Sequence, residues 1–159
     1  MKKIEQIVKK NAKPFKGHVG VGFKDLRSGM EYYYNGEEKV LAASVFKVPV
    51  LVELYNQAMS GILELNNKYE MCQDDVTWGS GVLKELKTGV SLTLKDYAVL
   101  MMIVSDNVAT DIILKIIGKE KVNKTMQYLK LKDTKVMMSC SELLSDALNI
   151  KSTDSSETI

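Results

Sequence analysis

The sequence predicts an α+β protein, mostly helical, with one antiparallel hairpin near its N-terminus. Three observations support this class. Apolar side chains alternate over residues 17–25, and a second β-prone run covers residues 30–34 after a turn. Apolar residues recur at helical spacing over residues 44–59. Three helices are expected over residues 93–130, the first opened by a capping signal, with breaks at Ser105-Asp106-Asn107 and at Gly118.

Each element follows from local chemistry. Ile4, Ile7 and Val8 stand at amphipathic spacing among lysines, so a short helix is expected up to about residues 11–14. Val19, Val21 and Phe23 share one face of the first strand, and glycines leave the other face nearly bare. Leu26-Arg27-Ser28-Gly29 and Asn35-Gly36 are turn signals that bound the second strand. Val45, Val48, Leu51, Val52, Tyr55 and Met59 then repeat as on a helix that starts at Ser44 and stops at Gly61, with Pro49 an irregularity in its first turns. Thr93-Leu94-Lys95-Asp96 has the form of a capping box with aspartate in place of glutamate. The helix it opens runs through Leu100, Met101, Met102 and Ile103 and is expected to be buried nearly all round. Helices over residues 108–117 and 119–130 follow. The sequence is read as one domain over residues 1–159, with a polar tail expected to be disordered from about residue 152.

Composition bounds the function. The 159 residues carry 22 Lys and Arg against 20 Asp and Glu, and 45% are hydrophobic, the profile of a soluble globular domain. Nucleic acid is not an expected partner, because phosphate binding needs a clustered basic excess and these lysines are scattered. His18 is the single histidine and Cys72 and Cys140 are the only cysteines, so no set of ligands converges on a metal. Neither a metal nor another cofactor is expected. His18, at a strand start, is read as structural, which sets aside a histidine-based triad. The N-terminus begins with charge but continues as an amphipathic helix, and no apolar window is long enough to span a membrane. A cytoplasmic location is the expectation for the sequence as it stands, or secretion to the cell envelope if a leader was removed; the oligomeric state is left open.

Two short motifs carry the chemistry. In Ser44-Val45-Phe46-Lys47 the first and last side chains lie one helical turn apart, so the Lys47 amine is expected to reach the Ser44 hydroxyl. A serine is a weak nucleophile until a base takes its proton, and a desolvated lysine can be that base. The Ser44 backbone N–H, near a helix start, offers half of an oxyanion hole. In Ser105-Asp106-Asn107 a hydroxyl can relay a proton and an amide can hold a substrate carbonyl or the lysine. Each motif alone also reads as a helix cap or a loop.

Together, in this order, they match the Ser-x-x-Lys and Ser-Asp-Asn signature, and over residues 19–138 the sequence resembles the class A β-lactamase and penicillin-binding serine hydrolase family. The supporting segments include Ala42-Ala43-Ser44, Gly79-Ser80-Gly81-Val82-Leu83 and Val104-Ser105-Asp106-Asn107-Val108-Ala109-Thr110-Asp111. The resemblance implies a serine β-lactamase/DD-peptidase-like fold that is incomplete, the later sheet strands missing. It implies an acyl-enzyme through Ser44, with Lys47 as base, Ser105 as proton relay and Asn107 as the amide that orients substrate; Trp78 is a further expected substrate contact. The implied partner is a small-molecule β-lactam or a peptidoglycan-like substrate.

Three departures qualify what is implied. The only Lys-Thr-Gly triplet, Lys87-Thr88-Gly89, precedes Ser-Asp-Asn, where the family has it on a later strand, and is read as turn residues. The chain stops where the family continues into further strands and a C-terminal helix. After Met138 the family has an omega-shaped loop with a glutamate that activates water, and Glu142 stands near that place in a dissimilar segment. The alternatives are an esterase or cell-wall peptidase that penicillin acylates and releases slowly, and a non-catalytic fragment of either.

Overall fold

The computed structural model describes residues 2–148, and the expected tail from residue 152 lies outside them. The contacts fall into two compact units, Met1–Leu41 and Ala42–Ile159.

The first unit holds helix α1 (Lys2–Ala12) and the antiparallel pair β1 (Val21–Lys24) and β2 (Glu31–Tyr34), in the register Val21 to Tyr34 and Lys24 to Glu31. The turn is built by Asp25, whose carboxylate accepts from the Ser28 hydroxyl at 2.5 Å and the Arg27 N–H at 3.0 Å. Gly29 completes it at φ +70°. The first strand is shorter than expected, and His18 lies before it, exposed, with Nδ1 3.5 Å from Glu38.

The second unit is a helical cluster around α4. Its elements are α2 (Lys47–Met59), β3 (Lys68–Glu70), β4 (Ser91–Thr93), α3 (Leu94–Ile103), α4 (Asn107–Ile117), α5 (Lys119–Tyr128) and α6 (Cys140–Ala147). Helix α4 packs against α2, α3, α5 and α6 and buries Val108, Ala109, Ile112, Ile113, Leu114 and Ile117. It is α4 that is covered on nearly every side. The expectation of all-round burial for α3 is corrected: Tyr97, Ala98 and Met101 are buried, while Ile103 is 74% exposed and Met102 also faces outward, because only one side of α3 meets α4 and α2. Thr93 and Asp96 form the expected capping box, with the Asp96 N–H on Thr93 Oγ1 at 3.1 Å and the Thr93 N–H on Asp96 Oδ2 at 3.1 Å.

The helix expected from Ser44 begins instead as a 3-10 turn, Ala43–Phe46, and becomes α-helical only at Lys47. Pro49 accounts for this. It lacks the N–H that would bond the Val45 carbonyl, and its ring crowds that carbonyl, so an α-helical turn cannot run back through Val45. The strands β3 and β4 pair antiparallel, Lys68 to Thr93 and Glu70 to Ser91, and lead straight into the α3 cap. No described helix is long and apolar enough to cross a membrane.

Candidate active site

The start of α2 and the turn between α3 and α4 bring the two motifs together. Ser44 lies in the 3-10 turn, and with three residues per turn it shares a face with Lys47, the first residue of α2. Lys47 is only 2% exposed. Its Nζ donates to the Ser105 carbonyl at 2.6 Å, to Ser105 Oγ at 2.9 Å and to Asn107 Oδ1 at 3.0 Å, which accounts for all three ammonium protons. Ser105 Oγ in turn donates to Ser44 Oγ at 3.2 Å. The spacing expectation put Lys47 directly on Ser44; the hydrogen bonds connect them through Ser105.

Two residues beside this chain are strained. Ala43, just before Ser44, has φ +44°, and Ser105 has φ +55°, in the left-handed region that non-glycine residues rarely adopt. The Ser105 conformation turns both its carbonyl and its hydroxyl towards Lys47. Asp106, fully buried, holds that turn in place: its carboxylate accepts from Val82 N–H at 2.6 Å, Leu83 N–H at 2.9 Å and, as the cap of α4, Ala109 N–H at 3.0 Å. Asn107 donates from Nδ2 to the Trp78 carbonyl at 2.9 Å and from its backbone N–H to the Ser80 carbonyl at 3.0 Å. The Trp78 side chain itself is 82% exposed, so the loop offers a ring to solvent while its backbone is anchored to the site.

Burial sets the electrostatics. Desolvation holds the Lys47 amine below the usual lysine range, with the charges of Asp106 and Asp111 pulling the other way. Burial, and then the Asp111 charge, push the Cys140 thiol up to about 12, so it stays protonated. Asp111 is itself raised by burial, even though it accepts from the Cys140 N–H at 2.7 Å, the Ser141 N–H at 2.9 Å and the Thr77 hydroxyl at 3.2 Å.

Glu142 is not drawn into this cluster. The segment expected as a loop is helix α6, and Glu142 is the third residue of a capping box: it accepts from the Ser139 N–H at 2.7 Å, its own N–H bonds Ser139 Oγ at 3.1 Å, and Lys119 is 3.8 Å away. Its carboxylate lines a cavity of about 390 Å³ with Asp75, Thr77, Asp111, Lys115 and Lys119, a site that does not include Ser44 or Lys47. Leu144 of α6 lies close to Gly79, beside Asn107. Lys87-Thr88-Gly89 is the turn before β4, with Gly89 at φ +93° and its N–H on the Met71 carbonyl at 2.8 Å. Among the described residues no three His, Cys, Asp or Glu side chains form a group that could hold a metal.

The sequence reading assigned no role to Ser80, whose hydroxyl donates to the Ser105 carbonyl at 2.9 Å, or to Asp111. The signal for Ser80 was available, because two glycines flanking a serine mark a backbone that something approaches closely. Asp111 offered no local signal, since its partners are distant in sequence: Thr77 and the first turn of α6.

The model of the beta-lactamase enzyme family matches residues 1–158. The beta-lactamase PSE-4 of Pseudomonas aeruginosa is 31% identical over 118 residues, which are 74% of this chain and 41% of that protein. A beta-lactamase from Sphaerobacter thermophilus superposes with a TM-score of 0.82 at 28% identity, over 87% of this chain and 52% of the other. A variant of PBP-A, captured as an acyl-enzyme complex with penicillin G, shares the fold with a TM-score of 0.83 at 24% identity, over 91% of this chain and 55% of the other. The chain thus spans about half the length of the proteins it matches, or less. On the strength of the family match, and of a serine, lysine, serine and asparagine gathered into one hydrogen-bonded cluster, the chain belongs to the beta-lactamase enzyme family.

Proposed function

We propose that Ser44 is the nucleophile of an acyl-serine enzyme that opens β-lactam rings. The observation that supports this most is the continuous path from Ser44 Oγ through Ser105 Oγ to a buried lysine amine. With Lys47 charged, the donors run from the ammonium to Ser105 and from Ser105 to Ser44. With Lys47 neutral both hydroxyls can rotate, so that Ser44 donates to Ser105 and Ser105 to the amine. That reversed chain activates the nucleophile.

Ser44 Oγ attacks the lactam carbonyl carbon, and its proton moves through Ser105 to Lys47. As the carbon–nitrogen bond breaks, Lys47 returns the proton through Ser105 to the leaving nitrogen, which leaves an ester on Ser44 and a neutral amine on Lys47. The Ser44 N–H supplies one oxyanion donor, Asn107 orients the substrate amide and the exposed Trp78 ring lies along the substrate.

Release of the acyl group needs a base for water, and Glu142 has that role only if its carboxylate leaves the Ser139 N–H. Its capping position favours the second reading, in which the protein is acylated by penicillin and deacylates slowly. The measurement is direct. A fluorescent penicillin should label the protein, peptide mapping should place the adduct on Ser44, and Ser44→Ala should abolish labelling. Fast turnover of a chromogenic cephalosporin would establish the hydrolytic reading over the slow-release one. An adduct on another residue, or none, would remove the acyl-serine proposal and leave the non-catalytic one.

A further inference from the structure

Between the two motifs lies a third segment, Gly79-Ser80-Gly81, that the assigned roles leave unexplained. Its glycines are set by contact. Gly79 has φ +98°, and a Cβ there would come within 2.5 Å of Asn107 Nδ2. Gly81 has φ +114°, and a Cβ would come within 2.3 Å of the Asp106 carboxylate. Neither position admits a side chain, so the backbone lies directly on the Asp106–Asn107 turn, tied there by the Ser80 carbonyl to the Asn107 N–H and by Asp106 to the Val82 and Leu83 N–H groups.

The one side chain this segment carries is the Ser80 hydroxyl. It donates to the Ser105 carbonyl at 2.9 Å and reaches Asn107 Oδ1 at 3.4 Å. These are two of the three acceptors that Lys47 Nζ uses, at 2.6 and 3.0 Å. Ser80 and Lys47 therefore share a pair of acceptors.

We infer that Ser80 is a positioning residue for Lys47 and Asn107: its hydroxyl draws on the same two oxygens, limits how strongly they hold the lysine ammonium, and fixes the Asn107 amide with its oxygen inward. Two consequences follow from the shared pair. An acceptor already engaged by a hydroxyl is a poorer partner for the ammonium, so Ser80 assists burial in keeping the amine ready to accept a proton. The amide, with donors at Oδ1 and the Trp78 carbonyl at Nδ2, has one orientation. The charged or titratable groups that act on Lys47 from neighbouring elements are Asp106 and Asp111 at and within α4 and Cys140 on α6, and the Ser80 hydroxyl bonds instead to the Ser105 carbonyl and to Asn107.

The kinetic consequence rests on the acyl-serine proposal, so the deciding measurement is one that does not need turnover. In lysine side-chain NMR of the whole chain, with the Lys47 resonance assigned by its loss in Lys47→Met, Ser80→Ala should raise the Lys47 titration midpoint by about half a pH unit, roughly threefold less neutral amine at a given pH below it. Ser80→Thr, which keeps the hydroxyl, should restore the wild-type midpoint. The pH profile of penicillin labelling should move with it. A Lys47 midpoint unchanged or lowered in Ser80→Ala overturns the inference. A wild-type protein that penicillin does not label overturns the acyl-serine proposal, and the NMR midpoint still decides the role of Ser80. Because Ser80 is exposed, Ser80→Ala removes these two hydrogen bonds and no core packing.

Discussion

Lys47 combines the charge of a lysine with the burial of a core side chain, and its chemistry follows from that conflict. Desolvation lowers its proton affinity, and three acceptors around Nζ restore part of it. The sign is definite: a lowered pKa means the neutral amine is present at lower pH than for a lysine in water. Acylation should therefore rise with pH through an apparent midpoint below the usual lysine value of 10.5. Lys47→Ala should slow labelling on the order of a hundredfold or more and flatten that profile. Labelling of Lys47→Ala at the wild-type rate, measured by stopped-flow quenching, would remove the amine from the mechanism. The members of this hydrogen-bonded cluster were legible in the sequence because Ser-x-x-Lys and Ser-Asp-Asn are local patterns. The route between them was not, since helical spacing says which side chains share a face and nothing about Ser105 at φ +55° placing its hydroxyl between them.

At the scale of elements, helix ends were legible where one or two neighbouring residues make them, as at Thr93 with Asp96 and at Gly118. The pair β3 and β4 was not, because strands of three residues hold too few positions to show a period of two, and each is recognisable only through a partner more than twenty residues away. For α6 a local signal exists, since Ser139-Cys140-Ser141-Glu142 has the form of a capping box, while the family resemblance implies a loop there. Contacts between helices show the same limit. Glu53 on α2 is buried and accepts from Thr125 Oγ1 on α5 at 2.5 Å and from Gln57 Nε2 at 2.7 Å. Burial opposes its ionisation, but the hydrogen bonds from Thr125, Gln57 and Asn56 together outweigh burial and bring its pKa below the usual 4.5. A carboxylate lowered in the fold contributes stability above its unfolded pKa and loses it as pH falls through the folded one. Thr125→Ala should therefore cost on the order of 1–3 kcal/mol at neutral pH, in urea titrations, and the difference from wild type should shrink once the pH is below the carboxylate range. A constant difference from pH 7 down to acid unfolding would show that Thr125 acts by packing rather than through the Glu53 charge.

For the whole molecule, burial is distributed unevenly between the two units. No described residue before Lys47 is buried, whereas the second unit has a continuous core running from Val50 and Leu54 through Met101 to Ile113 and Ile117. A helix and a two-stranded hairpin without a buried residue are marginal in water, since few apolar contacts offset the entropy of ordering the chain. The second unit is different in kind, because α4 is enclosed by four other helices and its amides open only when that cluster comes apart. Native-state hydrogen exchange should accordingly find the slowest amides in α4, at Ile112, Ile113 and Leu114, and intermediate ones in α3, whose outer face is exposed at Met102 and Ile103. The amides of β1 and β2 should exchange fastest among the paired backbone groups. This ranking differs from one based on hydrophobicity alone, which would put the Leu100-Met101-Met102-Ile103 run first. Slowest exchange in α3 would mean that its outer face is covered in solution. Protection in β1 and β2 equal to that in α4 would mean that the first unit shares the stability of the second, and that the absence of buried side chains there is a poor guide to how firmly it is held.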